Sequence, residues 1–164
     1  MTALVYIGIG TNTGDRVENL RQALERLDGI MALDQLSGVY ETAPKYVHDQ
    51  PRFLNMAVGG ETALDPLQLL EKLKTFEIEM GRLPSEERYG PRLIDLDILF
   101  YGDAVVEKPG LSIPHPLLPE REFVLRPLAD IAAAKRHPVT GRTVIEMLAA
   151  LEGNGEAKPF PIDV

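Results

Sequence analysis

Two hydrophobic periods alternate along the first hundred residues, and their order restricts the fold more than any other feature of the chain. Leu4 to Ile9 is a β-branched and apolar run between turn residues, too short for a buried helix, so it predicts a central strand ending near Gly10. From Asp15 the apolar residues Val17, Leu20, Leu24 and Leu27 recur at spacings of three and four. Glu18 lies three after the capping Asp15, and Gly29 is the stop, which predicts an amphipathic helix. Met31 to Thr42 and Phe53 to Thr62 are two further strand candidates, joined by the long loop APKYVHDQPR. Asp65-Pro66 opens a second helix bearing Leu67, Leu70, Leu73 and Phe76, closing at Gly81. The polar stretch RLPSEERYGPR leads into the apolar strand LIDLDILFYG. The succession β-α-β-β-α-β predicts an α+β, ferredoxin-like fold, with two helices on one face of an antiparallel sheet and the other face available for a ligand.

Beyond this unit, Pro127 to Ala134 and Thr143 to Leu151 predict two C-terminal helices, the second opened by a Thr143/Glu146 capping box. The tail from Gly153 to Val164 has no periodicity and predicts a loose terminus. No linker divides the chain, so residues 1–164 are expected to form one domain. The 17 Lys+Arg against 25 Asp+Glu leave a net charge of −8, which argues against nucleic acid or an anionic membrane as partner. Any anionic ligand must be held locally. Cysteine is absent, which removes thiolate nucleophiles, disulfides and Cys-based metal sites and permits a reducing compartment. With no basic leader in MTALVYIGIG and no long apolar run, a cytoplasmic protein is expected.

The chemistry concentrates around Asp95 and Asp97. Two apart on a strand, they project from one face, about 7 Å apart along the chain, while Leu96 and Ile98 point to the core. Such hard oxygen donors suit Mg²⁺, which offsets their mutual repulsion. A lone Asp-x-Asp is more often an exposed acidic strand face. Here Arg82, Arg88 and Arg92 immediately precede it, and His115 and Arg121 follow in the next irregular segment. Guanidinium groups bind phosphate oxygens bidentately, so carboxylates beside arginines in an acidic chain point to a magnesium polyphosphate site. Pro84, Gly90 and Pro91 make the arginine-rich loop a candidate lid. His115, between two prolines, reads on its own as a turn residue held by backbone hydrogen bonds.

Other nucleotide signatures fail. GIGTNTG carries Thr13 where a dinucleotide fingerprint needs its last glycine, and reads as a strand-to-helix turn; neither a Walker lysine nor a nucleophile elbow is present. Phe53, Tyr40 and Phe123 read first as core aromatics. Around a flat heterocycle, two aromatics would serve as stacking plates, with Asn55 reading the ring edge.

YIGIGTNTGDR, VYETAP, PRFLNMAV, RYGPRLIDLDILFYG and IPHPLLPEREFVLRPLADI together resemble the 6-hydroxymethyl-7,8-dihydropterin pyrophosphokinase family of folate biosynthesis, from Tyr6 to Ile131. The resemblance implies a ferredoxin-like fold and transfer of diphosphate from ATP to the hydroxymethyl group of a reduced pterin, with release of AMP. It implies two Mg²⁺ ions on Asp95 and Asp97, with Arg82 and Arg92 also in the catalytic set. On the nucleotide side it implies Glu77, Arg88, Tyr89, Arg92, Ile98, Ser112, His115 and Arg121. For the pterin it implies Phe53 and Phe123 as plates, Asn55 and the segment Thr42, Ala43, Pro44 and Lys45 at the polar edge, and Asp95 nearby. The partners so implied are ATP and the reduced pterin; a monomer is expected. The chain departs from the family pattern at Pro84, where many members carry a second arginine, and at Tyr89, where a tryptophan is frequent. A non-catalytic binding module of the same fold would leave the Asp pair beside the arginines unexplained. A different magnesium-dependent nucleotide transferase would not call for the aromatic pair and Asn55.

Overall fold

The computed structural model describes residues 1–44, 49–81, 93–151 and 157–162. A six-stranded sheet forms its centre, with β1 (Ala3–Thr11) flanked by β4 (Phe53–Thr62) and β5 (Asp95–Tyr101), both antiparallel to it. On the far side of β4 lie β2 (Ala32–Leu36) and β3 (Tyr40–Thr42), and the short β8 (Lys158–Pro159) adds to β3. β5 is therefore one edge of the sheet. The helix α1 (Arg16–Asp28) starts where the Asp15 carboxylate accepts from the Glu18 N–H, and α2 (Pro66–Glu79) starts with a reciprocal Asp65/Gln68 capping box. Among the described residues, no helix is long and apolar enough to cross a membrane.

Strand alternation assigns residues to two faces. Val5, Ile7 and Ile9 of β1 join Leu54, Met56 and Val58 of β4 and Leu96 and Ile98 of β5 in one core, which receives Leu20 and Leu27 of α1 and Leu69 and Leu73 of α2. Tyr6 and Ala57 belong to the opposite face. There they pack with Leu99 and Phe100 against Leu125 and Leu128 of α3 (Glu122–Ala132) and against Val144, Met147 and Leu148 of α4 (Val144–Ala149). The pairing of β1 with β5 slips between Tyr6 and Ile7, so that Leu99 is an extra residue and both Leu99 and Phe100 reach this second core.

The structure alters several expectations. The second face is only partly available, because α3 and α4 cover its half around Tyr6, Ala57 and Phe100. Met31 to Thr42 is not one strand: between β2 and β3 the Ser37 N–H donates to the Ala57 carbonyl and the Ser37 hydroxyl accepts from the Ala57 N–H, so a side chain replaces one ladder partner. Helix α3 begins at Glu122 rather than Pro127, its apolar face overriding the proline in its interior. The tail is not wholly loose, since β8 pairs with β3 and Phe160 and Ile162 pack against the first core. An unforeseen hairpin, β6 (Val106–Lys108) with β7 (Leu111–Ile113), follows β5. β1 contains Gly8, as the expected strand did, and runs one residue past its expected end near Gly10, to Thr11.

Candidate active site

Asp95 and Asp97 fall on the second face, on the half that α3 and α4 leave uncovered. The register places Asp95 opposite Gly10 and Asp97 opposite Gly8 on β1, and beyond β1 it places Asn55 opposite Gly10 and Ala57 opposite Gly8. Tyr40 of β3 is in turn opposite Asn55. Directly paired residues share a face, so Tyr40, Asn55, Gly10 and Asp95 form one row across four strands, spanning about 14 Å at the usual strand spacing.

The glycines in β1 are what keep this row low. A Cβ on Gly10 would lie 2.9 Å from the Asn55 Oδ1 and 3.8 Å from the Phe53 ring, and one on Gly8 would lie 3.3 Å from Leu99. Backbone therefore forms the floor between the carboxylates and Asn55. Sequence reasoning missed Gly8 and Gly10 as site residues. The available signal was the pair of glycines two apart inside an otherwise β-branched run, which marks close approach of another group.

Asn55 is buried and held in one orientation: its Nδ2 donates to the Thr42 hydroxyl at 2.6 Å. That leaves Oδ1 turned toward Gly10. Phe53 and Thr42 are direct partners on β4 and β3, and both are on the face that carries Asn55. Phe123 lies in the first turn of α3, and the guanidinium of the buried Arg121 sits 5.4 Å from its ring centroid. Ala43 and Pro44 follow β3 directly.

His115 is fixed between β5 and its own turn. Its backbone N–H donates to the Leu99 carbonyl, and its Nδ1 accepts from the Leu117 N–H at 3.2 Å. Burial pushes the ring down to about 4, the Arg121 charge adds to this, and Asp95 opposes it. The ring is thus neutral near pH 7, and with Nδ1 as acceptor its proton is on Nε2, which remains a donor. The expected turn held by backbone hydrogen bonds is therefore present, at the residue that is also a candidate for the site.

A cavity of about 290 Å³ opens along the outer edge of β5, lined among others by Leu70, Leu96, Asp97, Ile98, Ser112 and His115. Because β5 is an edge strand, alternate backbone groups point into this space. The Leu96 N–H is one of them, and it donates to the Glu77 Oε2 at 2.8 Å. Glu77 thus fastens α2 to the start of β5, and by alternation Ile98 presents its N–H and carbonyl to the same side. Ser112 Oγ also donates to Glu107 within the hairpin.

The chain entering β5 is anchored from α1. Asn19 Nδ2 donates to the Thr11 hydroxyl at 3.0 Å, the Thr13 carbonyl at 2.9 Å and the Leu93 carbonyl at 3.2 Å, and the Thr11 hydroxyl itself donates to Leu93. Lys45, Arg82, Arg88, Tyr89 and Arg92, with the expected lid, lie outside the described residues.

The family model for 7,8-dihydro-6-hydroxymethylpterin-pyrophosphokinase matches residues 6–133. A 2-amino-4-hydroxy-6-hydroxymethyldihydropteridine pyrophosphokinase of Aquifex aeolicus is 39% identical over 158 residues, covering 96% of this chain and 96% of the relative. The mitochondrial folate synthesis bifunctional protein of Arabidopsis thaliana is 52% identical over 128 residues, 77% of this chain but 23% of the relative. Against such longer plant and fungal relatives the chain spans about a fifth of the length, 19% for the folic acid synthesis protein of Pneumocystis carinii. Among solved structures, Plasmodium falciparum HPPK-DHPS superposes with a TM-score of 0.76 at 18% identity, covering 91% of this chain and 44% of that one, a likeness of fold.

Proposed function

The chain belongs to the 7,8-dihydro-6-hydroxymethylpterin-pyrophosphokinase family, and from that premise we propose that it transfers diphosphate from ATP to the hydroxymethyl group of 6-hydroxymethyl-7,8-dihydropterin, releasing AMP, in folate synthesis. The observation that carries this reading is the row Asp95, Gly10, Asn55, Tyr40. It sets a carboxylate suited to a metal polyphosphate and a polar side chain suited to a ring edge on one face, with only backbone between them.

ATP is the diphosphate donor, used with Mg²⁺ as in the family at large. Asp95 and Asp97 fit that ion, since both are carboxylates on one face of β5 beside a backbone free of Cβ atoms. Two ions bound there would offset the polyphosphate charge and polarise the phosphoryl group under attack. On the nucleotide side, the cavity along β5 accepts the nucleoside, with Ile98 backbone groups, Ser112 and the Glu77-braced strand start as its wall. His115 donates from Nε2 to a phosphate oxygen, and Arg121, with Arg82, Arg88, Arg92 and Tyr89, completes the hold on the triphosphate.

On the pterin side, Phe53 and Phe123 are the plates. Asn55, fixed by Thr42, reads the polar edge together with backbone of Ala43, Pro44 and Lys45. The pterin hydroxyl attacks the β-phosphorus and AMP departs, so the protein's work is alignment and charge stabilisation. The sheet order, with β5 beside β1 and β2 and β3 beyond β4, supports the ferredoxin-like reading of residues 1–164 as one domain. A cytoplasmic monomer completes the proposal, with no nucleic-acid or membrane partner, the latter supported by the net charge of −8.

Incubation with ATP, Mg²⁺ and the hydroxymethyl dihydropterin tests it. AMP and a pterin diphosphate are expected in equal amounts, whereas ADP as the nucleotide product, or no pterin-dependent turnover, refutes it.

A further inference from the structure

A hydrogen-bonded brace joins the floor of the site to the helix above it. The Tyr40 hydroxyl donates to both carboxylate oxygens of Asp130, each at 3.0 Å, and the Gly38 N–H donates to Asp130 Oδ2 at 3.0 Å. Tyr40 is the direct cross-strand partner of Asn55. Asp130 lies on α3, seven residues after Phe123. Seven residues are two helical turns, about 10 Å, so the two side chains project from nearly the same face of the helix.

We propose that the Tyr40–Asp130 pair positions the heterocycle pocket, setting the height of Phe123 above the strand that carries Asn55. The inference rests on the pterin reading above. A ring that stacks on one face and hydrogen-bonds at its edge needs both the plate and the edge reader in register, and these belong to different layers of the molecule. Tyr40 and Asp130 join those layers beside the pocket. Pro127 lies between Phe123 and Asp130 and removes one helical donor, but Leu125 and Leu128 are fully buried on either side of it and hold the helix to the sheet as one piece. Burial, the bond to Asp130 and its charge push the Tyr40 hydroxyl up from its ordinary value, with Arg126 partly opposing, so Tyr40 stays a donor across the working pH range.

Tyr40→Phe removes the hydroxyl and keeps the ring, and Asp130→Ala removes the acceptor. Titration calorimetry with the dihydropterin and, separately, with a magnesium complex of a non-hydrolysable ATP analogue reads each pocket. For both variants the expectation is a three- to tenfold weaker pterin affinity with nucleotide affinity unchanged. The double variant should be no weaker than Asp130→Ala alone, because that change already removes the bond from Tyr40. In steady state the pterin KM should rise by the same factor while the ATP KM stays. Unchanged pterin binding in both variants overturns the positioning role and leaves the proposed function standing. Equal losses for pterin and nucleotide assign the pair to stability alone and overturn it too. A wild-type protein that binds no pterin removes the function first and this inference with it.

Discussion

Gly10 and Asn55 face each other across β1 and β4 so closely that a methyl group on Gly10 would stand 2.9 Å from the Asn55 Oδ1. Asn55 cannot swing away without loosening its 2.6 Å bond to Thr42. Gly10→Ala is therefore expected to keep the fold and the nucleotide affinity while weakening pterin binding about tenfold, the effect of one misplaced polar partner. Calorimetric titration with each ligand checks this, and an unaltered pterin affinity would show that Asn55 does not read the ring.

Asp95→Asn and Asp97→Asn keep side-chain shape and remove a charged metal ligand. Turnover is expected to fall nearly to zero in each. Thermal stability without metal should hold or rise slightly as like charges on one strand face are relieved. Activity measured across a magnesium series is the check, and near-normal rates at limiting Mg²⁺ would remove both residues from the metal site.

His115 makes stability depend on pH. Its folded value of about 4 lies below the 6.5 of the unfolded chain, so the unfolded state binds the extra proton between these limits. Its contribution is present in full above about pH 6.5 and is lost as the pH falls toward 4, on the order of 3 kcal/mol. Urea unfolding of wild type and His115→Gln from pH 4 to 7 should show a shallower slope in the variant. Parallel slopes would mean that the imidazole is not held neutral by its surroundings.

Asn19 is a buried amide that ties α1 to the entry of β5 through Thr11, Thr13 and Leu93. Asn19→Ala leaves buried partners without their donor, and a loss of about 1–3 kcal/mol is expected. Urea denaturation measures it, and Asn19→Asp, which keeps an acceptor but no donor toward the two carbonyls, should be at least as damaging. A loss below 0.5 kcal/mol, roughly the effect of an ordinary surface change, would show that the network is dispensable.

Periodicity and capping are local, so the alternation of strands and helices, the Asp15, Asp65 and Thr143 starts, and the shared face of Asp95 and Asp97 follow from residues within a few positions of one another. The Pro127 boundary failed for the same local reason: a proline reads as a helix start, whereas burial of Leu125 and Leu128 under the sheet keeps α3 helical from Glu122. The break of Met31–Thr42 at Ser37, the covering of half the second face by α3 and α4, and the seating of Gly10 between Asp95 and Asn55 were decided only by tertiary structure. Each depends on which strand lies beside which and in what register. A one-residue shift of β4 or β5 against β1 would leave every local pattern intact and turn either Asn55 or the aspartates away from the site, because side chains alternate faces at every step of a strand.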